Sequence, residues 1–117
     1  AVILNEDRHF GNFGFLIDNK SNKIVGCAPI FDNGLSLLCY AMDDDFKNIN
    51  QYIQTRLPAT YQDFIAFVKP RMTKRQKEKL RKLIGFKFES HYKYRLPRKR
   101  LKYLEEIIQK RVLELLE

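Results

Sequence analysis

The chain has 117 residues, 44% apolar and 31% charged, with five glycines and four prolines. That composition excludes a disordered or low-complexity segment, and no run approaches the ~20 apolar residues that cross a bilayer. The formal net charge is +8, and one stretch carries it: residues 69–103 hold fifteen Lys/Arg against two Asp/Glu, a net of +13.

The first polar loop is Asn5-Glu-Asp-Arg-His-Phe-Gly-Asn12, with an Asp five positions ahead of an Asn. Phe13–Ile17 and Lys23–Cys27 are predicted strands, joined by the turn-forming cluster Asp18–Asn22. A hairpin there holds Asn12 at its start and Asp32 just past its end, so these two side chains are expected to meet. Leu35–Met42 is an apolar run, strand or start of helix, between which periodicity does not decide.

Asp43, Asp44 and Asp45 are expected to cap a short helix carrying Phe46, Ile49 and Ile53. Carboxylates at a helix start suit the dipole, which favours capping over a further metal site. Pro58 ends that element. Thr60 is expected to open a helix with Tyr61, Phe64, Ile65 and Val68 on one face, stopped by Pro70. Thr73-Lys-Arg-Gln76 has the capping-box pattern, Leu80, Leu83 and Ile84 form an apolar stripe, and Gly85 is the natural stop.

Phe86, Phe88, Tyr92 and Tyr94 follow in an irregular connection, where His91 is expected to be structural. Pro97 fits the first turn of a last helix reaching about Leu116. Its stripe is Leu101, Leu104, Ile108, Val112 and Leu115, with Glu106 and Lys110 as an i, i+4 pair. The fold class is α+β: a short β-hairpin near the N-terminus, then a mainly helical bundle. Cys27 and Cys39 are too few for a zinc cluster and lie in apolar runs, which predicts buried, reduced thiols and a cytoplasmic protein.

Asp7, Asn12 and Asp32 together form the polar kit of a phosphoryl-transfer site. Such a site needs a carboxylate to take the proton from an acceptor hydroxyl, and hard oxygen ligands for the metal ions that neutralise phosphate charge. The protein-kinase catalytic loop has the form H-R-D-x-x-x-x-N followed by D-F-G. Asp7 to Asn12 keeps the D-x-x-x-x-N spacing, and Asp32-Asn33-Gly34 stands where D-F-G would. His9 is an alternative proton acceptor, since imidazole titrates near neutrality, but the spacing favours Asp7. The G-x-S-x-G, H-E-x-x-H and P-loop patterns do not occur.

Asp7-Arg8-His9-x-x-Asn12 is similar to the D-R-H-x-x-N loop of phosphatidylinositol-3-kinase-like enzymes. The wider strings N-E-D-R-H-F-G-N-F-G-F-L and A-P-I-F-D-N-G resemble the HipA-like serine/threonine kinases of bacteria, in which an N-x-D-x-H-x-x-N loop is followed by a P-x-x-D segment. The likeness covers residues 5–37. It implies Asp7 as catalytic base, Asn12 and Asp32 as Mg²⁺ ligands, Asn5 and His9 as supports of the loop, and Asn33 and Gly34 in the nucleotide and metal loop. It further implies ATP as donor, a protein Ser/Thr hydroxyl as acceptor, a frequent antitoxin partner, and a kinase C-lobe arrangement of the helices.

Two departures stand out. Asn33 replaces the Phe of D-F-G, and neither a Gly-rich strand-turn-strand nor a V-A-I-K-type lysine is present. The chain, opening at Ala1 without Met, is therefore expected to be one domain over 1–117 and the C-terminal fragment of a longer kinase. Residues 1–42 would hold the catalytic loop, hairpin and metal loop, and 43–117 the helical part. Without its N-terminal lobe it is not expected to be active. A lipid kinase is a weaker option, resting on D-R-H alone.

The other reading is a non-catalytic module that uses residues 69–103. Lys74, Arg75, Lys77, Lys79, Arg81 and Lys82 could contact nucleic acid or an acidic protein. An amphipathic helix needs a solvated face in any case, and a charge patch alone supplies only non-specific affinity, so nucleic acid is not favoured.

Overall fold

The architecture is organised around one long helix. The computed structural model describes residues 1–117 and is α+β. An antiparallel hairpin pairs β1 (Phe15–Asp18) with β2 (Lys23–Cys27). Four helices follow: α1 (Ile49–Gln54), α2 (Phe64–Val68), α3 (Lys74–Arg81) and α4 (Arg98–Leu116). No helix is long and apolar enough to cross a membrane.

Helix α4 begins at Arg98; Pro97 stands just outside it as the N-cap residue, with ψ 136°, rather than in its first turn. The helix buries Leu104, Ile107, Ile108, Val112 and Leu115 along one side. Leu104 and Ile107 pack with Leu4, Leu38, Ala41, Phe46 and Phe64, while Ile108, Val112 and Leu115 pack with Leu80 of α3. The segment leading into the Asn5–Asn12 loop thus enters the core through Leu4, and the segment after the hairpin through Leu38. Leu101 of the expected stripe is only half-buried.

Local signals hold where local chemistry decides. Thr73 and Gln76 form the reciprocal capping box at α3, but the helix ends at Arg81 rather than at Gly85: Leu83 and an exposed Ile84 lie in the turn that follows, and Gly85 takes a left-handed φ of +79° there. In the hairpin turn the Asp18 carboxylate accepts from the Lys20 and Ser21 amides and the Ser21 hydroxyl, which holds its pKa below the usual value. β1 starts two residues later than predicted, at Phe15, and a bulge interrupts the ladder between Leu16 and Ile17.

Elsewhere tertiary contacts win. Leu35–Met42 is neither strand nor helix. Leu37 donates its amide to the Ile3 carbonyl at 2.7 Å, and Arg100 of α4 donates to the carbonyls of Leu38 (3.1 Å) and Ala41 (2.8 Å). Both Leu37 and Leu38 sit at φ +53°, a region costly for a side chain with a Cβ. Asp63, not Thr60, caps α2, its carboxylate accepting from Ala66 N at 2.6 Å. The acidic run caps nothing downstream. Asp44 makes no side-chain cap bond, and Asp45 accepts from Met42 N at 2.7 Å. Lys110 reaches Asn50 at 2.7 Å instead of pairing with Glu106. Cys27 and Cys39 are free thiols but exposed, because the hairpin and the Leu38–Met42 turn present them outward.

The hairpin does not join the core. Phe15, Leu16, Ile17, Ile24 and Val25 are all about half exposed or more, on both faces of the ribbon. The radius of gyration, 16.3 Å, exceeds the ~13 Å of a compact chain near this length. The extents of 53 × 36 × 27 Å agree with a projecting ribbon.

Candidate phosphoryl-transfer site

The two polar loops that flank the ribbon are bound together. The Asn12 side chain is 3% exposed; its Nδ2 donates to Asp32 Oδ2 at 2.7 Å, and its Oδ1 accepts from His9 N at 3.1 Å. Asn5, 4% exposed, is the second link. Its Oδ1 accepts from Asp7 N at 3.1 Å, while its Nδ2 donates to the Asp32 carbonyl (3.1 Å) and to Asn33 Oδ1 (3.3 Å). One buried amide therefore fixes the backbone at Asp7 and at Asp32 together.

The loop's own geometry comes from short-range capping. His9 caps the 3₁₀ turn Phe10–Asn12, its Nδ1 accepting from Gly11 N at 3.0 Å while Asn12 bonds back to the His9 amide. Gly11 matters here because a Cβ at that position would meet the imidazole at 3.0–3.1 Å. Asp32 stands at φ +56°, which Asp and Asn tolerate better than most residues.

Arg8 is the residue that sequence reasoning did not single out. Its guanidinium donates to the carbonyls of Asn12 (2.6 Å), Phe31 (2.8 Å) and Asp32 (3.4 Å), and to Asn33 Oδ1. A planar five-donor fork suits this clustered set of acceptors, which one ammonium could not serve. No side-chain pattern announced it, since three of its four acceptors are main-chain carbonyls, two of them 23 and 24 positions away. Thr60 Oγ1 donates to the Arg8 carbonyl at 3.4 Å, and Ala59 N to the Glu6 carbonyl at 2.8 Å, tying the loop to the helical body.

The proposed catalytic atoms are left free. Glu6 pairs with Arg56 at 3.5 Å, whereas the neighbouring Asp7 carboxylate, half-buried, makes no hydrogen bond or ion pair. Asp32 is exposed and uses one oxygen on Asn12. The free oxygens of Asp7 and Asp32 are hard donors of the kind Mg²⁺ takes; Asn12 faces Asp32 with its Nδ2 while its Oδ1 faces His9 N, so its oxygen would reach an ion held by Asp32 only after the amide turned over. Asn33 adds no donor, because its Oδ1 is occupied by Asn5 and Arg8. Gly34 has open space around it and no positive φ. Nowhere do three His, Cys, Asp or Glu side chains gather as a metal cluster.

Other candidate residues lie apart from this pair of loops. Lys74, Arg75, Lys79, Arg81 and Lys82 are exposed on α3, Lys77 is half-buried, and none makes an ion pair. A cleft of about 650 Å³ lies between the 36–46 segment and the start of α4; a second, of about 390 Å³, lies between α3, Met72 and Leu115. Neither is lined by Asp7, Asn12 or Asp32, whose loops face open solvent at Asp32.

No family model, curated protein or solved structure matches the chain.

Proposed function

We propose that this chain is the catalytic-lobe part of a HipA-like protein kinase, moving the γ-phosphate of ATP to a Ser or Thr hydroxyl of a protein substrate. The observation that carries the reading is the 2.7 Å contact of Asn12 with Asp32 across the base of the ribbon, with the carboxylate of Asp7 left without a partner on the same loop. Asp7 would accept the hydroxyl proton, and Asp32 and, with its amide turned over, Asn12 would supply oxygens to Mg²⁺. The metal, when bound, neutralises charge on the β- and γ-phosphate oxygens. Asn5, His9, Arg8 and Asn33 would hold the two loops in register, which is the positioning that phosphoryl transfer mostly requires. A nucleotide-binding lobe would complete the site, and ATP affinity of the chain alone is expected to be weak.

Paramagnetic Mn²⁺ tests the metal assignment without activity. Added below one equivalent, it is expected to broaden the amide resonances of Asp7, Asn12 and Asp32 first. Asp32→Asn keeps a side chain suited to φ +56° and removes the charge, so the same residues should stay sharp. Broadening centred on Asp43–Asp45 instead would overturn the assignment.

A further inference from the structure

The connection between α3 and α4 carries an aromatic surface that the fold does not use. Tyr92 and Tyr94 are 82% and 73% exposed, yet both rings stack on the His91 imidazole, with centroids 4.8 and 5.3 Å away and planes 25° apart. The turn beneath them is fixed. His91 Nδ1 accepts from Lys93 N at 3.1 Å and Tyr94 N at 2.9 Å, so the rings are set in place before anything binds.

The charge around them is one-sided. From residue 90 to residue 104 there are six Lys/Arg and no Asp or Glu. Arg100 is spent on the Leu38 and Ala41 carbonyls. Lys93, Arg95, Arg98, Lys99 and Lys102 have no carboxylate partner, and the Lys93 ammonium lies 5.4 Å from the Tyr94 ring centre. Immediately before this stretch, Lys87 is neutralised by Glu105 at 2.8 Å.

A solvating role explains lysines on a helix face, as on α3, but not two outward tyrosines. Nor does helix stability explain the cations: Arg98, Lys99 and Arg100 fill the first turn of α4, where the dipole disfavours positive charge.

We infer that residues 91–102 form a binding site for single-stranded nucleic acid, with Tyr92 and Tyr94 stacking on bases and the five free cations tracking phosphates. Flat, exposed, pre-ordered rings select unpaired bases, because a duplex keeps its base faces stacked on one another. An acidic protein would satisfy the cations and leave the rings idle. The site is independent of the Asp7–Asp32 loops and of the kinase reading.

Fluorescence anisotropy of the 117-residue chain with a fluorescein-labelled 12-nucleotide RNA of mixed sequence tests it. Releasing counterions from up to five phosphates gives a slope of up to about −3.5 in log K against log salt, or binding up to roughly 130-fold weaker at 200 mM than at 50 mM. Tyr92→Ala with Tyr94→Ala is expected to weaken binding by about 10- to 100-fold, and the Tyr→Phe pair to retain it. Both pairs change exposed side chains, so equal melting temperatures separate lost contacts from lost fold. Unchanged affinity in the double alanine variant would overturn the inference, leaving charge alone. Polyglutamate competing as well as unlabelled RNA would overturn it in favour of an acidic protein.

Discussion

Phosphate transfer is expected to fall a hundred- to ten-thousandfold when Asp7 is replaced by alanine, in a polypeptide joining this chain to a nucleotide-binding lobe. That range is what a positioned general base contributes. The variant isolates chemistry from folding, because the Asp7 carboxylate holds nothing in place; only its backbone amide is used, by Asn5 Oδ1 at 3.1 Å. The melting temperature should therefore stay unchanged while incorporation of labelled γ-phosphate into a protein substrate collapses. His9 provides the contrast. Its Nδ1 is engaged with Gly11 N at 3.0 Å, so His9→Ala should loosen the turn and lower transfer less than Asp7→Ala does. Full labelling by Asp7→Ala, with loss in His9→Ala, would move the base to the imidazole.

Arg8→Ala should be the most disruptive single change around the site. The guanidinium bonds three main-chain carbonyls and the Asn33 side chain. Bonds to a charged group each contribute about 1.5–3 kcal/mol, but they are not additive and this side chain is only half-buried, so the expected loss is about 2–4 kcal/mol. Arg8→Lys should recover little, since an ammonium cannot span acceptors on both loops. Urea denaturation gives the magnitude. A loss no larger than that of an exposed substitution such as Lys79→Ala would refute the clamp role.

The hairpin with Asn12 and Asp32 at its two ends could be read from residue types because the signal was local: two apolar runs, one turn cluster, and a polar residue just outside each strand. The capping box at Thr73 and the start of α4 next to Pro97 were legible for the same reason. The Leu35–Met42 run was not, because its conformation is imposed by Arg100, 59 to 62 positions away, which takes its carbonyls. Cys27 and Cys39 lie in strings that look like core but sit on a ribbon and a turn that nothing covers. Thr60 failed as a cap because Asp63, three residues on, offers a stronger acceptor nearer the helix start. Arg8 was hidden within a motif whose flanking letters drew the attention, and its acceptors are backbone atoms that no side-chain pattern announces.

A ribbon outside the core has a bearing on how the molecule comes apart. Little apolar packing restrains β1 and β2, so their attachment depends on the few polar links at their base, through Asn5, Arg8 and Asn12. Those links are shared by both loops, and breaking them frees the strands and the loop bearing Asp32, while the Asp7 loop stays tied to the helical body through Leu4 and Ala59. The region is thus a subglobal unit that opens at lower free energy than α4 and its partners. The contact between Asn12 and Asp32 is only as stable as that unit, whatever the melting temperature of the helices.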